Sequence, residues 1–334
     1  MFSYIIRRLL YAIPILFGVM LITFLLFFIV QPPEFRARAI LGEKARPKQV
    51  QDWLHDHGYD KPTYINGRLG VAIDKRATPG KPFYDSLFVN QMKRLATFDF
   101  GLSDKTGLPI AQTFLDGVGP SLCLTLPAFV VGFFMAVALS LYQVFVRYSA
   151  LDRFGIFLCV ACMSLPPMIY MFVGQSFLAL QLPYFPAYGF DLHGWSTVKF
   201  LLLPVSLMVI MNLGYDVRLY RTIFLEEITQ DYVRTALAKG VPQSRLLFVH
   251  VLKNGMISLI TLVVAHLPLL IMGSLLMENF FGIPGLGNAL FHAIQLGDAA
   301  MVNAFVYLGA ILYIVGLILT DICYAFADPR IRLS

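Results

Sequence analysis

The residues that could carry out chemistry are few, and they do not form a catalytic set. The sequence contains no phosphate-binding loop of the form G-x-x-x-x-G-K-[ST], which excludes ATP hydrolysis by that route. The zinc-protease pattern H-E-x-x-H and the nucleophile pattern G-x-S-x-G are also absent. We therefore expect a protein that is not itself an enzyme, with no catalytic, cofactor-binding or metal-binding residues of its own.

Three short patterns resemble binding sites but favour structural roles. His55 and His57 stand two residues apart, a spacing that does not place them on one helical face, so a solvated pair is favoured over a metal site. Cys159 and Cys162 have C-x-x-C spacing without a second pair, which favours small buried packing residues over redox or metal chemistry. The glycine-rich segment 282–287 does not match the dinucleotide-binding pattern, and it predicts a turn.

The most informative polar segment lies between two apolar runs, at residues 218–254. A short helix is predicted near its middle, because Asp231 suits a helix N-terminus and Lys239 suits a last turn. Gly240 can take the left-handed conformation that ends a helix, and Pro242 prevents its continuation.

On the residues alone, two roles remain open for this helix. It could belong to a solvated amphipathic loop or to an anchor at the lipid headgroups. It could also be a docking helix, because Thr235, Ala236 and Ala238 are small enough to let a partner surface approach closely.

The composition indicates the setting in which these residues act. Of the 334 residues, 58% are hydrophobic and only 14% are charged. A soluble domain carries about 25% charged residues, and a compact soluble fold of this composition would expose too much apolar surface. The chain is therefore predicted to be an integral membrane protein.

Six apolar runs are each long enough, or nearly so, to cross a bilayer core of about 30 Å as a helix. The first exceeds the apolar core of a signal peptide and no cleavage site follows it, so we expect an uncleaved anchor. The fold class predicted is all-α, with six transmembrane helices. The runs are Leu9–Val30, Ser121–Val146, Phe154–Leu180, Phe200–Val217, Ile257–Met277 and Val302–Ala325.

Basic residues predict the orientation, because short cytoplasmic loops collect lysine and arginine. The predicted orientation has both termini inside. The short outside segments 181–199 and 278–301 then carry only Lys199. The inside segments then carry twelve basic residues: Arg7, Arg8, Arg147, Arg153, Arg218, Arg221, Arg234, Lys239, Arg245, Lys253, Arg330 and Arg332.

The predicted organisation has three parts. Residues 1–30 form the N-terminal end and the first transmembrane helix. Residues 31–118, with 13 basic and 10 acidic side chains, form a small extracytoplasmic insertion. Residues 119–334 form a core of five transmembrane helices, which includes the loop 218–254.

The predicted helix in that loop resembles a known motif. Asp231-Tyr-Val-Arg-Thr-Ala-Leu-Ala-Lys-Gly-Val241 is similar to the EAA motif of binding-protein-dependent ABC importer permeases of the dipeptide/oligopeptide/nickel branch, which typically has D-Y-V-R-T-A-R-A-K-G-L. The family's following R-H-x-L-R-N-A is matched by Val249-His-Val-Leu-Lys-Asn-Gly255. The chain departs from the family's N-A-L-I-P at Asn254-Gly-Met-Ile-Ser258, which lacks the proline.

The resemblance extends from residue 58 to residue 330. Glu278-Asn-Phe-Phe-Gly-Ile-Pro-Gly-Leu-Gly287 resembles the family's E-x-x-F-x-x-P-G-L-G, and the segment from Asp321 to Arg330 resembles its D-x-x-Y-x-x-x-D-P-R. Weaker matches are found at Gly58–Pro62 and Asp99–Ser103. The ordered combination is highly specific.

By resemblance, the chain is a permease subunit of an ATP-driven importer for peptides or a similar small solute. The implied partners are a second, related permease, two cytoplasmic ATPase subunits that bind ATP and Mg, and a binding protein outside the bacterial inner membrane. A helix in the loop, Arg234–Gly240, would couple the chain to the ATPase, with Ala236 on the floor of the ATPase groove. The implied coupling residues are Asp231, Tyr232, Arg234, Thr235, Ala236, Lys239 and Gly240.

Two carboxylates near membrane depth are assigned either a gating or a structural role. Glu278 is compatible with solvation at the interface or with a gate, and Asp321 is expected to pair with a basic residue such as Arg218. The solute and its contacts are not specified by any motif.

The alternative functions are an ion-coupled secondary transporter or channel, and a membrane-bound enzyme or assembly factor.

Overall fold

A computed structural model describes residues 2–30, 32–64, 66, 74, 77–78, 80–82, 84–182, 184–192 and 194–327. Among these residues the regular structure is entirely helical, with one isolated bridge between Leu102 and Pro109, which confirms the predicted all-α class. Five helices are long and apolar enough to cross a membrane, and a bent helix pair raises the number to as many as six.

The helices are numbered in chain order. They are α1 (Phe2–Phe24, followed by a π-helical turn at Leu25–Val30), α2 (Pro33–Leu41), α3 (Pro47–Asp56), α4 (Leu87–Ala96), α5 (Ile110–Phe145), α6 (Ala150–Ser164), α7 (Pro167–Gln181), α8 (Trp195–Ile228), α9 (Asp231–Ala238), α10 (Gln243–Met272), α11 (Leu275–Phe281), α12 (Leu286–Leu296) and α13 (Ala299–Ala327).

The chain divides into two compact units. The first comprises Met1–Leu115 and Leu290–Ile314, and the second comprises Asp116–Ala289 and Val315–Ser334.

In the first unit, a buried polar cluster joins α2 to the segment before α5. The Arg36 Nη1 atom donates to the Asp104 Oδ2 atom at 3.0 Å, and the Tyr59 hydroxyl donates to the other carboxylate oxygen at 3.1 Å. Burial raises the pKa of the Tyr59 hydroxyl, and the neighbouring Asp104 charge acts in the same direction. Asp298 accepts a hydrogen bond from Ser103, so the start of α13 belongs to the same cluster.

In the second unit, α6 and α8 pack closely because glycine occupies the contact. A Cβ atom added to Gly214 would lie 2.7 Å from the Cys159 carbonyl oxygen. Cys159 is buried, as the sequence predicted for a packing residue, whereas Cys162 is half-buried. A buried apolar cluster, called here the lower cluster, surrounds the ends of α8 and α10 and consists of Ala136, Leu141, Val144, Cys159, Val217, Tyr220, Phe224, Val233, Leu246, Leu247, Val251 and Leu259.

Two elements differ from the apolar runs of the sequence. The run Phe154–Leu180 is divided into α6 and α7, which meet at an angle of 92°. The cause is local, because Leu165 precedes two prolines and takes an extended backbone, and Pro167 then begins α7.

The predicted loop 218–254 is mostly helical. Its first eleven residues continue α8 to Ile228, and its last twelve begin α10 at Gln243. Hydrophobicity marks the part of a helix inside the membrane and not the end of the helix, so a polar continuation of α8 was not predicted.

Candidate functional site

Helix α9 is held at the base of the second unit by a single buried side chain. Val233 is 1% exposed and belongs to the lower cluster. The cluster includes Phe224 on α8 and Leu247 on α10, and Tyr232 and Ala236 also pack against it, so α9 is attached to the ends of two long helices. Full burial of a valine stabilises such a contact by about 1.5 kcal/mol or more.

The C-terminus of α9 has the geometry predicted from the sequence. Gly240 has a φ of +76°, in the left-handed region that glycine adopts most readily. The Gly240 N–H donates to the Leu237 carbonyl at 2.9 Å, and the Val241 N–H donates to the Ala236 carbonyl at 3.2 Å. These two bonds form a Schellman motif, which satisfies the last carbonyls of the helix and fixes where it ends.

The N-terminus of α9 is held by side chains near the end of α8. The Tyr232 hydroxyl donates to a Glu227 carboxylate oxygen at 2.8 Å, and partial burial raises the pKa of Tyr232. Asp231 lies in the first turn, and its carbonyl accepts a hydrogen bond from the Thr235 hydroxyl. Arg234 and Asp231 form an exposed ion pair at 3.7 Å, which stabilises the helix by about 1 kcal/mol at most.

The two faces of α9 have different neighbours. Ala236, whose small size suggested a place against a partner groove, is half-buried against the lower cluster of the same chain. The exposed face carries Leu237, which is 53% exposed and stands where the resembling motif has arginine. The other exposed side chains are Asp231, Arg234, Thr235, Ala238 and Lys239.

Glu278, on α11, is fully buried in a set of donors from three segments of the second unit. Its carboxylate accepts hydrogen bonds from the Ser121 hydroxyl at 2.9 Å and from the Ser274 and Asn288 N–H groups, both at 3.0 Å. Burial raises the pKa of Glu278, and these hydrogen bonds oppose the rise. A Cβ atom at Gly285 would overlap the carboxylate, so the P-G-L-G turn also packs against it. This arrangement favours the structural role over the gating role.

Replacing Glu278 with Ala is expected to lower the free energy of unfolding by about 3 kcal/mol, because three buried donors lose their acceptor. Glu278→Gln, which keeps one acceptor oxygen, is expected to cost less. The measurement is the melting temperature of the detergent-purified protein, with Glu226→Ala on the exposed face of α8 as control. An unchanged melting temperature combined with lost transport would instead assign a gating role.

The second carboxylate, Asp321, lies on α13 in the last candidate span. Its proposed partner Arg218 is exposed, and the Arg218 Nη1 atom lies 3.6 Å from the Met163 sulfur. The pairing of Asp321 with Arg218 therefore stays a prediction. The terminal motif residues Asp328 to Arg330, and the predicted inside residue Arg332, lie outside the described residues.

The two histidines of the insertion make separate local contacts. His55 is largely exposed and its ring Nδ1 atom lies 3.0 Å from Asp60, which raises the pKa of His55. The His57 Nδ1 atom lies 2.9 Å from the Trp53 carbonyl. In the part of the chain that the structure describes, no group of three His, Cys, Asp or Glu side chains is placed to hold a metal ion.

A cavity of about 350 Å³ lies among α5, α8 and α10, and it contains two residues that the sequence analysis did not select. Asp216 and His266 both line it, although each stands inside an apolar run. The available signal was the ionisable residue itself, because such residues in membrane spans are costly and are often functional.

These features define a helical membrane protein with several candidate membrane spans and a short, largely exposed helix attached to the ends of α8 and α10. Residues 121–333 match the family described as "Binding-protein-dependent transport system inner membrane component", and residues 1–75 match the N-terminal region described for such components. The chain belongs to this family. It is therefore a transmembrane permease component, and the predicted resemblance is confirmed.

The relatives cover the whole chain at low identity. The dipeptide transport system permease protein DppB of Alkalihalophilus pseudofirmus is 27% identical over 99% of this chain and 100% of its own length. A putative peptide transport system permease protein of Brucella abortus is 29% identical over 99% of both chains. The oligopeptide transport system permease protein AppB of Bacillus subtilis is 25% identical over 99% of this chain and 100% of its own.

Proposed function

We propose that this chain forms half of the translocation path of an ATP-driven importer for peptides or a similar small solute. The other half is a second, related permease subunit, and two ATPase subunits supply the energy through their own bound ATP and Mg. The relatives are named for dipeptide, oligopeptide and peptide transport, which supports this solute class. The absence of a phosphate-binding loop from the sequence supports a separate ATPase.

In this proposal the chain crosses the inner membrane six times, with α6 and α7 together as one bent span and both termini in the cytoplasm. Residues 31–118 form the extracytoplasmic insertion, and residues 119–334 form the core. The distribution of basic residues supports this orientation. A binding protein delivers the solute on the outside.

The single observation that carries the proposal is the attachment of α9. Val233 belongs to the buried cluster around the ends of α8 and α10, so a displacement of α9 is transmitted to two helices that line the cavity. The ATPase groove receives the exposed face, with Arg234, Leu237 and Lys239 as the contacting side chains. Closure of the ATPase moves α9 only because the ATPase makes different contacts with α9 in its open and closed states.

A photoreactive amino acid placed at Leu237 tests this assignment in the assembled complex. We expect crosslinking to an ATPase subunit from position 237 and none from the matched, similarly exposed position Leu192 in the loop before α8. Crosslinking from 192, or none from 237 while the ATPase co-purifies, contradicts the docking face or the orientation. Uptake that follows an ion gradient without an ATPase subunit would favour the ion-coupled transporter, for which Asp216 and His266 inside the spans are the motivating residues.

A further inference from the structure

The cavity among α5, α8 and α10 is lined by one carboxylate among the described residues. Of the described residues that line it, Asp216 is the only acid and His266 the only basic side chain. The volume of about 350 Å³ lies in the range of small-molecule pockets. A short peptide or a comparable solute therefore fits the space, and Asp216 is the group that would meet it with a negative charge.

Asp216 differs from the other buried carboxylates of the second unit in what surrounds it. Glu278 accepts three hydrogen bonds, and Asp152 is bound by the guanidinium of Arg221 at 2.9 Å. Among the described residues none donates a hydrogen bond to the Asp216 carboxylate or forms an ion pair with it. A half-buried carboxylate in an apolar helix is costly unless a cation approaches it.

The neighbouring side chains are ordered in a way that suits an ammonium group. The His266 ring stacks on Phe129 with centroids 6.0 Å apart, and its Nδ1 atom lies 2.7 Å from the Leu262 carbonyl. Because a carbonyl oxygen only accepts hydrogen bonds, the Nδ1 atom carries the proton in this contact. Tyr220, held edge-on against Phe133, adds a second aromatic ring to the same wall. Aromatic faces beside a carboxylate attract cations through the ring quadrupole.

We propose that Asp216 receives the protonated amino group of the solute in this cavity, with the rings of Phe129 and Tyr220 as the surrounding aromatic wall. The proposal rests on the function proposed above. It requires that the transported solute carries a free primary amine. A peptide carries such a group at its N-terminus. The partner permease completes the path around the cavity.

The reactivity of Asp216 tests the proposal directly in the nucleotide-free complex of permease and ATPase subunits. Dicyclohexylcarbodiimide modifies protonated carboxyl groups at membrane depth, and mass spectrometry locates the adduct. Alanyl-phenylalanine is expected to slow labelling of Asp216 about tenfold at a concentration about ten times its Kd. Its N-acetylated form, at the same concentration, is expected to have no effect. The adduct at Asp321, a carboxylate in the last candidate span that does not line the cavity, serves as the internal control.

Transport by substituted complexes gives the second measurement. Asp216→Asn preserves shape and removes the charge, and it is expected to raise the KM for alanyl-phenylalanine uptake about tenfold, the effect of losing one charged hydrogen bond. Glu226→Gln removes a charge from the same helix outside the cavity, and it should leave uptake unchanged. The proposal is overturned if Asp216 is not labelled, if both peptides protect it equally or not at all, or if Asp216→Asn transports normally.

The two proposals fail in different ways. If the wild-type complex imports the dipeptide and the labelling of Asp216 is unaffected, the amine site is wrong and the proposed function stands. If no peptide is imported while ethylammonium protects Asp216, the amine site stands and the peptide class is wrong.

Discussion

Replacement of Gly240 by Asp is expected to abolish solute uptake while the protein remains in the membrane. Gly240 has a φ of +76°, and a Cβ atom there would meet nothing within 4 Å, so a side chain fits sterically. Asp tolerates the left-handed conformation better than most residues, which limits the folding cost to about 1 kcal/mol. The added carboxylate lies next to the exposed face of α9, where an unpaired charge against the ATPase would cost several times more.

The matched variant is Gly240→Asn, which has nearly the same shape and the same backbone tolerance but no charge. We expect it to retain most of the uptake, and we expect the Asp variant to fall at least about tenfold lower, as a cost of about 1.4 kcal/mol implies. ATP-dependent uptake into proteoliposomes is the measurement, with membrane abundance determined by immunoblot. Equal uptake by the two variants would show that the region around Gly240 does not face a partner.

Short-range signals in the sequence predicted α9 and its end well. Asp231 begins the helix and places a negative charge in its first turn, Gly240 ends it, and Pro242 prevents any longer helix, so no distant contact was needed. The roles of individual residues were less accessible. Val233 was not selected as a site residue, although its burial anchors the helix. Which face of the short helix α9 is buried depends on where α8 and α10 lie, and the local sequence does not give their positions.

Long-range contacts explain most of what the sequence could not predict. The motif singled out Glu278, but its structural role depends on Ser121, which is 157 positions away in the sequence. Asp216 and His266 come together only through the rotation of α8 about its axis relative to α10, which hydropathy does not encode. The break at Leu165 was different, because the Pro166–Pro167 pair is a local signal that the prediction of one continuous span did not use.

Replacement of Asp152 by Ala is expected to destabilise the second unit by about 3–5 kcal/mol, the cost of leaving one member of a buried ion pair without its partner. The Asp152 side chain is 5% exposed and that of Arg221 is 18% exposed, and the Arg221 Nη2 atom lies 2.9 Å from the carboxylate. Asp152 also accepts a hydrogen bond from the Tyr148 N–H at 3.1 Å. Tyr148 has a φ of +71°, so the carboxylate stabilises a strained turn between α5 and α6 as well as the contact with α8.

A double-mutant cycle separates these two contributions. Arg221→Met removes the charge and keeps an apolar side chain, and the variant with both substitutions is expected to be more stable than the sum of the single losses predicts. The exposed pair Arg234 and Asp231 provides the control, because Asp231→Ala at this pair should change stability by less than about 1 kcal/mol. Melting temperatures of the purified proteins in one detergent give all five values. Additive losses in the cycle would mean that Asp152 acts mainly on the Tyr148 turn, and that the contact between α6 and α8 depends on the close approach at Gly214 instead.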